Sequence, residues 1–174
     1  MKFAITAILL LASIPCFADS LEFEHNLNAS TTTIKICIER PIEGRLSATL
    51  YSDMNAGWWQ ARAGLAYQVN PNLKVGLDAG TDVNDNFRHG GFAWAGKNRV
   101  NALYLYSGGK SGRWHDLSIS YNLTGKSTVA IVDNSSYGRG LRLGYRSNKT
   151  VSTSLTIFTN KGERIITIAP KFNF

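Results

Sequence analysis

Cysteine is nearly absent from this sequence, and histidine is scarce. The chain has two cysteines, Cys16 and Cys37, and three histidines. Cys16 falls within a segment that we expect to be removed on export, so Cys37 would remain alone and could form no intramolecular disulfide. No cysteine pair has metal-ligand spacing. The sequence therefore predicts no metal and no cofactor, and an exported protein that is stable without cross-links.

Long apolar runs are missing after the first residues, which excludes a membrane-spanning helix, since one needs about 18 to 20 apolar residues. The opening MKFAITAILLLASIPCFADS combines Lys2, an apolar stretch and the small-x-small end Cys16-Phe17-Ala18. This pattern predicts a secretory signal peptide, residues 1–18, cleaved after Ala18. One exported domain, residues 19–174, would remain. Although the net charge is +7, export argues against nucleic acid as a partner.

Helical periodicity is also lacking, and period-two alternation takes its place. In WWQARAGLAYQV (58–69), apolar and polar residues alternate, and Asn70-Pro71-Asn72 then makes a turn. The same pattern recurs along the chain, with eleven candidate turns between twelve candidate strands. We predict an all-β, antiparallel, up-and-down structure of about twelve strands; ten or eight remain possible if some hairpins are loops.

The candidate turns differ in length. If the N-terminus is periplasmic, the even-numbered connections are short, and the odd-numbered ones include the longest, Asp82–Gly91 and Asn134–Gly140. Short periplasmic turns and longer outer loops are usual in outer-membrane barrels. The two long segments would be the only plausible recognition surfaces of an adhesin.

The apolar face of each strand could meet a second sheet or lipid. In a β-sandwich it would be buried, whereas in a membrane barrel it would face hydrocarbon and the polar face would line the interior. The apolar faces are almost free of charge and carry aromatics near strand ends, as in the girdles of such barrels. These aromatics are Trp59, Tyr67, Phe92, Trp94, Tyr104, Tyr106, Tyr121, Tyr145, Phe172 and Phe174. We therefore favour a transmembrane β-barrel over a periplasmic β-sandwich binding protein.

The sequence ends in RIITIAPKFNF, in which Ile166, Ile168, Phe172 and Phe174 alternate with other residues. Pro170 departs from the pattern and would mark a bulge or the ragged end of pairing, because it cannot donate a ladder hydrogen bond. A terminal Phe after alternating hydrophobics resembles the assembly signal of Gram-negative outer-membrane β-barrels. The resemblance implies an outer-membrane location, with outer-membrane lipid and the barrel assembly machinery as partners.

The opening of the exported chain, LEFEHNLN, is similar to the acidic alternating first strand of the small monomeric porins for oligogalacturonate. That resemblance implies a twelve-stranded barrel with basic residues inside. No individual residue of the porin group is carried over to this chain.

The inward set follows once the Ile, Leu, Val and aromatic residues are placed outward, since a charge facing mid-membrane lipid costs roughly 2–4 kcal/mol. The predicted lumen-lining residues are Lys35, Arg45, Arg62, Lys74, Asp78, Asp116, Arg142, Arg146 and Lys171, together with Glu22, Glu24 and Glu39. Positive residues are in modest excess, and a basic pore favours anions.

The sequence therefore predicts a narrow channel, mildly anion-preferring, for small polar or acidic solutes. One alternative is that these charges form internal salt bridges in a non-conducting structural barrel; another is an adhesive barrel. An enzyme is not predicted. His115 and Ser118 lie on opposite faces of a strand, and Asp82, Asp85 and His89 lie in a turn-rich segment. We therefore predict no catalytic residue.

Overall fold

The computed structural model describes residues 20–174. The predicted signal peptide, residues 1–18, lies outside the described residues. Within them no helix is long and apolar enough to cross a membrane.

Twelve antiparallel strands form one closed barrel, in which each strand pairs with its neighbours in the chain and β1 pairs with β12. The strands are β1 Ser20–Asn26, β2 Thr31–Glu43, β3 Leu46–Asn55, β4 Trp58–Asn70, β5 Leu73–Asp82, β6 Phe87–Lys97, β7 Val100–Gly109, β8 Gly112–Asn122, β9 Ser127–Asn134, β10 Gly138–Arg146, β11 Val151–Asn160 and β12 Glu163–Asn173. This architecture confirms the predicted twelve-strand barrel, and the alternative of a β-sandwich is wrong.

The barrel has two rims, and both carry short connections. We call the rim that holds residues 20 and 173 the terminal end, and the opposite rim the far end. At the far end the predicted long loops are wrong, because β6 begins at Phe87 and β10 at Gly138. Asp82 accepts hydrogen bonds from the backbone N–H groups of Asn84 and Asn86, which closes a tight turn. Asn134 closes the β9–β10 turn in the same way.

The outer face is apolar over most of the barrel. Leu77 is 78% exposed and Ile131 is 67% exposed, although both lie in the middle of strands. Exposed apolar residues of this kind occur on every strand from β4 to β12, among them Leu65, Phe87, Val100, Ile119, Leu141, Leu155 and Ile168. A soluble monomer rarely exposes so large a continuous apolar surface. The face fits hydrocarbon, as predicted for a transmembrane barrel.

The inner face is less polar than predicted. Phe92 is paired with Gly76 and Trp94 with Lys74, which places both aromatic residues on the inner face. The ring of Phe92 occupies the space beside Gly76 that a Cβ would need. The prediction that Phe92 and Trp94 face outward is therefore wrong. In β6 both phases carry apolar or small residues, so alternation alone could not distinguish inside from outside.

The seam between the first and last strands is interrupted. The β1–β12 ladder pairs Glu22 with Lys171 and His25 with Ile168, but Phe23 and Glu24 have no ladder partner. They lie opposite Pro170 and Ala169, and proline has no N–H to donate. On its other side Pro170 pairs regularly with β11. Pairing with β1 resumes at Lys171, so Pro170 marks a local gap in the seam rather than the predicted bulge or ragged end.

Candidate functional site: the barrel lumen

Side chains that link strands far apart in the sheet must cross the lumen. Ser107 on β7 donates a hydrogen bond to the side chain of Gln60 on β4, at 3.2 Å. Lys74 on β5 lies 2.8 Å from Glu39 on β2. Neither strand pair is adjacent in the barrel. The polar phase of the strands therefore points inward.

Arg62 is fixed in the middle of the lumen by partners on several strands. Its Nη1 lies 2.9 Å from Asp78 Oδ1 and also donates to the backbone carbonyl of Tyr106 at 3.2 Å. Its guanidinium lies over the ring of Tyr51, 4.8 Å from the centroid. Gly90 leaves the room for this arrangement, because a Cβ there would overlap Arg62 Nη1. Arg62 is 4% exposed, so the guanidinium is closed off from water.

We call the level of the lumen around Arg62 the middle layer. The wall of this layer that lies opposite Arg62 is apolar. Ala130, Val132 and Phe158 form a buried cluster, against which Tyr137 and Ile165 pack. Strand register places these residues on the inner face, since Val132 and Phe158 both pair with the inward Gly140. We call these five residues the lumen cluster. Phe158 is 1% exposed, which shows that this level of the barrel is packed rather than open.

Two further lysines inside the barrel are neutralised by carboxylates. Lys35 lies 2.7 Å from Glu24 and 3.4 Å from Glu22. Lys74 contacts both oxygens of Glu39, at 2.8 and 2.9 Å. Each lysine has its carboxylate within direct contact, so neither is a free positive charge for a solute.

A cavity of about 540 Å³ lies in the lumen at the terminal end. Its charged lining residues are Arg99, Lys126, Arg142, Arg146, Lys171 and Glu22. Arg142 donates one side-chain hydrogen bond, from Nε to Thr156 Oγ1 at 3.0 Å. Five basic residues against one acidic residue give this cavity, which we call the basic cavity, an excess of positive charge.

A second cavity, of about 300 Å³, lies at the far end and shares no lining residue with the first. Its lining includes Lys35, Arg88, Arg113, Glu24, Asp53, Trp58, Trp114 and Tyr137. Burial raises the pKa of the Tyr137 phenol, and the nearby Glu24 carboxylate raises it further. We call this the far-end cavity. The packed middle layer lies between the two cavities.

The structure separates the predicted lumen residues into groups. Arg62 and Asp78 form one ion pair, and Asp116 accepts a hydrogen bond from Asn134. Arg142, Arg146 and Lys171 meet in the basic cavity. Arg45 lies in the turn between β2 and β3, where it is exposed and donates to the carbonyl of Val69 at 2.8 Å.

Sequence reasoning missed four basic residues of the cavities, one of which, Arg113, lies at the start of β8. Arg99 and Lys126 occupy turns at the terminal rim, where alternation gives no information on direction. Arg88 lies in β6, in a segment expected to be loop. Because no strand was predicted there, its direction was not predicted either.

The three histidines lie on the outer face. His25 contacts the hydroxyl of Thr32 at 2.9 Å. His89 and His115 lie beside Tyr106 and Tyr104, with ring centroids 6.0 and 6.4 Å apart. In the part of the chain that the structure describes, no three His, Cys, Asp or Glu side chains are grouped to hold a metal. The absence of catalysis stays a prediction.

No protein-family model matches the sequence, and no curated protein matches it either. Solved structures do match in fold. The KdgM porin in complex with disordered oligogalacturonate has 13% identity and a TM-score of 0.61, over 89% of this chain and 99% of that one. The NanC porin has 11% identity and a TM-score of 0.55, over 90% and 98%. The outer membrane protein Omp33 of Acinetobacter baumannii has 14% identity and a TM-score of 0.55, over 91% and 98%. The chain has the fold of these outer-membrane porins.

Proposed function

We propose that this protein is an outer-membrane channel for small solutes, with a preference for anions. The fold it shares with solved porins and the apolar belt support the membrane channel. The anion preference rests on one observation, the excess of basic side chains in the basic cavity. A low-dielectric wall around such a cluster focuses its field and concentrates anions.

The basic cavity supports this preference better than the overall count of lumen charges does. Arg62, Lys35 and Lys74 each have a carboxylate within 3.5 Å. Among the described residues, Lys126, Arg142 and Lys171 form no ion pair, and all three face the cavity. A small acidic solute entering from the terminal end therefore meets positive charge before it meets the packed middle layer.

Passage through the barrel requires side chains of the middle layer to move. Val132, Thr156, Phe158 and Thr167 are all buried there. This restricts the channel to small solutes and to low conductance.

Planar bilayers with a salt gradient test the proposal. The wild-type protein should give small conductance steps and a reversal potential on the anion side. The double variant Arg142→Gln/Lys171→Gln should shift the reversal potential toward that of a non-selective pore. The control is Arg139→Gln, whose guanidinium lies on the outer face, and it should leave the potential unchanged. A cation preference of the wild type would contradict the proposal.

A non-conducting structural barrel is the second candidate, and the closed middle layer favours it. Val132 has no exposed surface, and Phe158 is 1% exposed. If the purified barrel inserts into bilayers but gives no steps at any voltage or salt concentration, this second reading replaces the channel.

The outer-membrane location and the route of assembly belong to the same proposal. Ile166, Ile168 and Phe172 lie on the outer face of β12, and Phe174 follows that strand. Deletion of Phe174 should reduce the amount of folded protein in the outer-membrane fraction while Phe174→Tyr should not. Heat-modifiable gel migration of each fraction measures this. Equal amounts for deletion and wild type would remove the assembly role.

A further inference from the structure

The far-end cavity differs in chemistry from the basic cavity. Three aromatic residues line it: Trp58, Trp114 and Tyr137. Its charges are of both signs: Lys35, Arg88 and Arg113 against Glu24 and Asp53. Lys35 is paired with Glu24 at 2.7 Å, which leaves two guanidinium groups and one carboxylate among the charges of this cavity.

A continuous chain of hydrogen bonds joins a carboxylate to a guanidinium in the wall of this cavity. Gln60 Nε2 donates to Asp53 Oδ2 at 3.2 Å. Ser107 Oγ donates to Gln60 Oε1 at 3.2 Å. Arg88 Nη2 donates to Ser107 Oγ at 2.7 Å, and Arg88 Nη1 donates to the carbonyl of Gly112 at 2.9 Å. These bonds connect the Asp53 carboxylate to the Arg88 guanidinium through two neutral side chains.

Both ends of the chain have a polar atom without a partner. In residues 20–174, Asp53 Oδ1 and Arg88 Nε are buried and form no hydrogen bond. Asp53 is 7% and Arg88 3% exposed, and buried polar groups are nearly always hydrogen-bonded. The unpartnered oxygen is an acceptor, and the unpartnered nitrogen is a donor. The groups that would complete them are opposite in sign: a cationic donor at Asp53 and an anionic acceptor at Arg88.

We propose that the far-end cavity binds a small zwitterion, such as an amino acid. Its ammonium group is bound at Asp53 and its carboxylate at Arg88. Small local rotations of these two side chains bring the unpartnered atoms to the ligand, and the apolar part of the ligand contacts Trp58 and Trp114. The volume of about 300 Å³ lies at the lower end of ligand sites, which are roughly 300–1,000 Å³.

Singly charged ligands fit this cavity less well. A simple anion would meet the carboxylates of Glu24 and Asp53, and a simple cation would meet the guanidinium groups of Arg88 and Arg113. A zwitterion has attractive partners for both of its charges. The inference goes beyond the proposed function, since binding here requires no passage through the barrel.

Three matched probes test the proposal on the folded full chain in detergent: leucine, leucinamide and 4-methylpentanoate. They share one apolar side chain, but the second lacks the carboxylate and the third lacks the ammonium. Calorimetric titration, followed in parallel by tryptophan fluorescence, should show leucine binding about tenfold or more tighter than either analogue. Equal binding of 4-methylpentanoate would make the cavity a plain anion site, and no binding of leucine would overturn the proposal.

Variants locate the site. Asp53→Asn and Arg88→Gln should each weaken leucine binding about tenfold, and Arg139→Gln on the outer face should not change it. Heat-modifiable migration shows which variants are folded. Where Asp53→Asn does not fold, Trp114→Phe removes part of the apolar surface that contacts the ligand, so it should weaken binding and reduce the fluorescence change. Unchanged binding by every folded variant would contradict this location, whatever the bilayer experiment gives.

Discussion

Arg62 and Arg142 are both arginines on the inner face of the barrel, yet their surroundings differ. Arg62 lies in the middle layer with Asp78, the Tyr106 carbonyl and the ring of Tyr51 around it. Arg142 has one side-chain hydrogen bond, to Thr156, and faces the basic cavity. The first arginine stabilises a packed layer, and the second supplies positive charge to a cavity. A count of lumen charges therefore says little until the partners of each charge are known.

The largest expected effect is that of Arg62→Ala on stability. It would leave the Asp78 carboxylate buried without its partner, which costs about 3–5 kcal/mol of unfolding free energy. Denaturant unfolding in detergent measures the loss. The double variant Arg62→Met/Asp78→Leu should recover much of it, because no uncompensated charge remains. The same Arg62→Ala protein should show larger conductance steps. If Arg62→Ala lost no more unfolding free energy than Arg142→Ala, the two regions would not differ in the way described.

A smaller loss is expected from Gly90→Ala. The added Cβ would overlap Arg62 Nη1 and displace the guanidinium, at a cost of about 1–3 kcal/mol. Gly125→Ala is the matched control, because a Cβ there has no atom within 4 Å. Denaturant midpoints of both variants should differ clearly. Equal midpoints would show that the space beside Arg62 is not restricted.

Arg142→Gln should lower stability by only about 0.5–1.5 kcal/mol, the contribution of a single hydrogen bond. It should reduce anion selectivity, since one of the basic side chains of the cavity is lost. Unfolding and reversal potential are measured on the same preparation. A large loss of stability with unchanged selectivity would place Arg142 with Arg62 as a structural residue.

The smallest effect is expected at Arg139, which lies 3.5 Å from Asp133 on the outer face and whose side chain is 86% exposed. Such pairs contribute little, and it faces neither cavity. Arg139→Gln should change neither the unfolding midpoint nor the reversal potential. A clear shift in either would mean that the outer face influences the lumen.

Much of the fold could be predicted from the sequence, because alternation is a local property of each strand. The strand number follows from the count of alternating segments. The inward direction of Lys35, Arg62 and Lys74 follows from their spacing to the nearest outward residue. The failures were also local. Phe92 and Trp94 lie in a strand whose two faces are both apolar or small, and the Asp82 turn hid the start of β6.

The partners of the lumen charges could not be predicted. The contact of Lys74 with Glu39 and the bond of Arg62 to Tyr106 join strands that are not adjacent. Such contacts depend on the diameter and stagger of the closed barrel, which no local pattern encodes. The two cavities could not be predicted for the same reason, since each is lined by residues from several strands.

The gap opposite Pro170 has a consequence for the order of folding. Every other joint of the barrel connects strands that follow one another in the chain, whereas this joint must bring together segments from its two extremes. Because closing the longest loop has the largest entropic cost, this joint is the slowest to form. The missing ladder pairs at Phe23 and Glu24 make it the first joint to open. We therefore expect this joint to form last during membrane insertion. Its backbone amides should exchange with deuterium faster than those of the other joints.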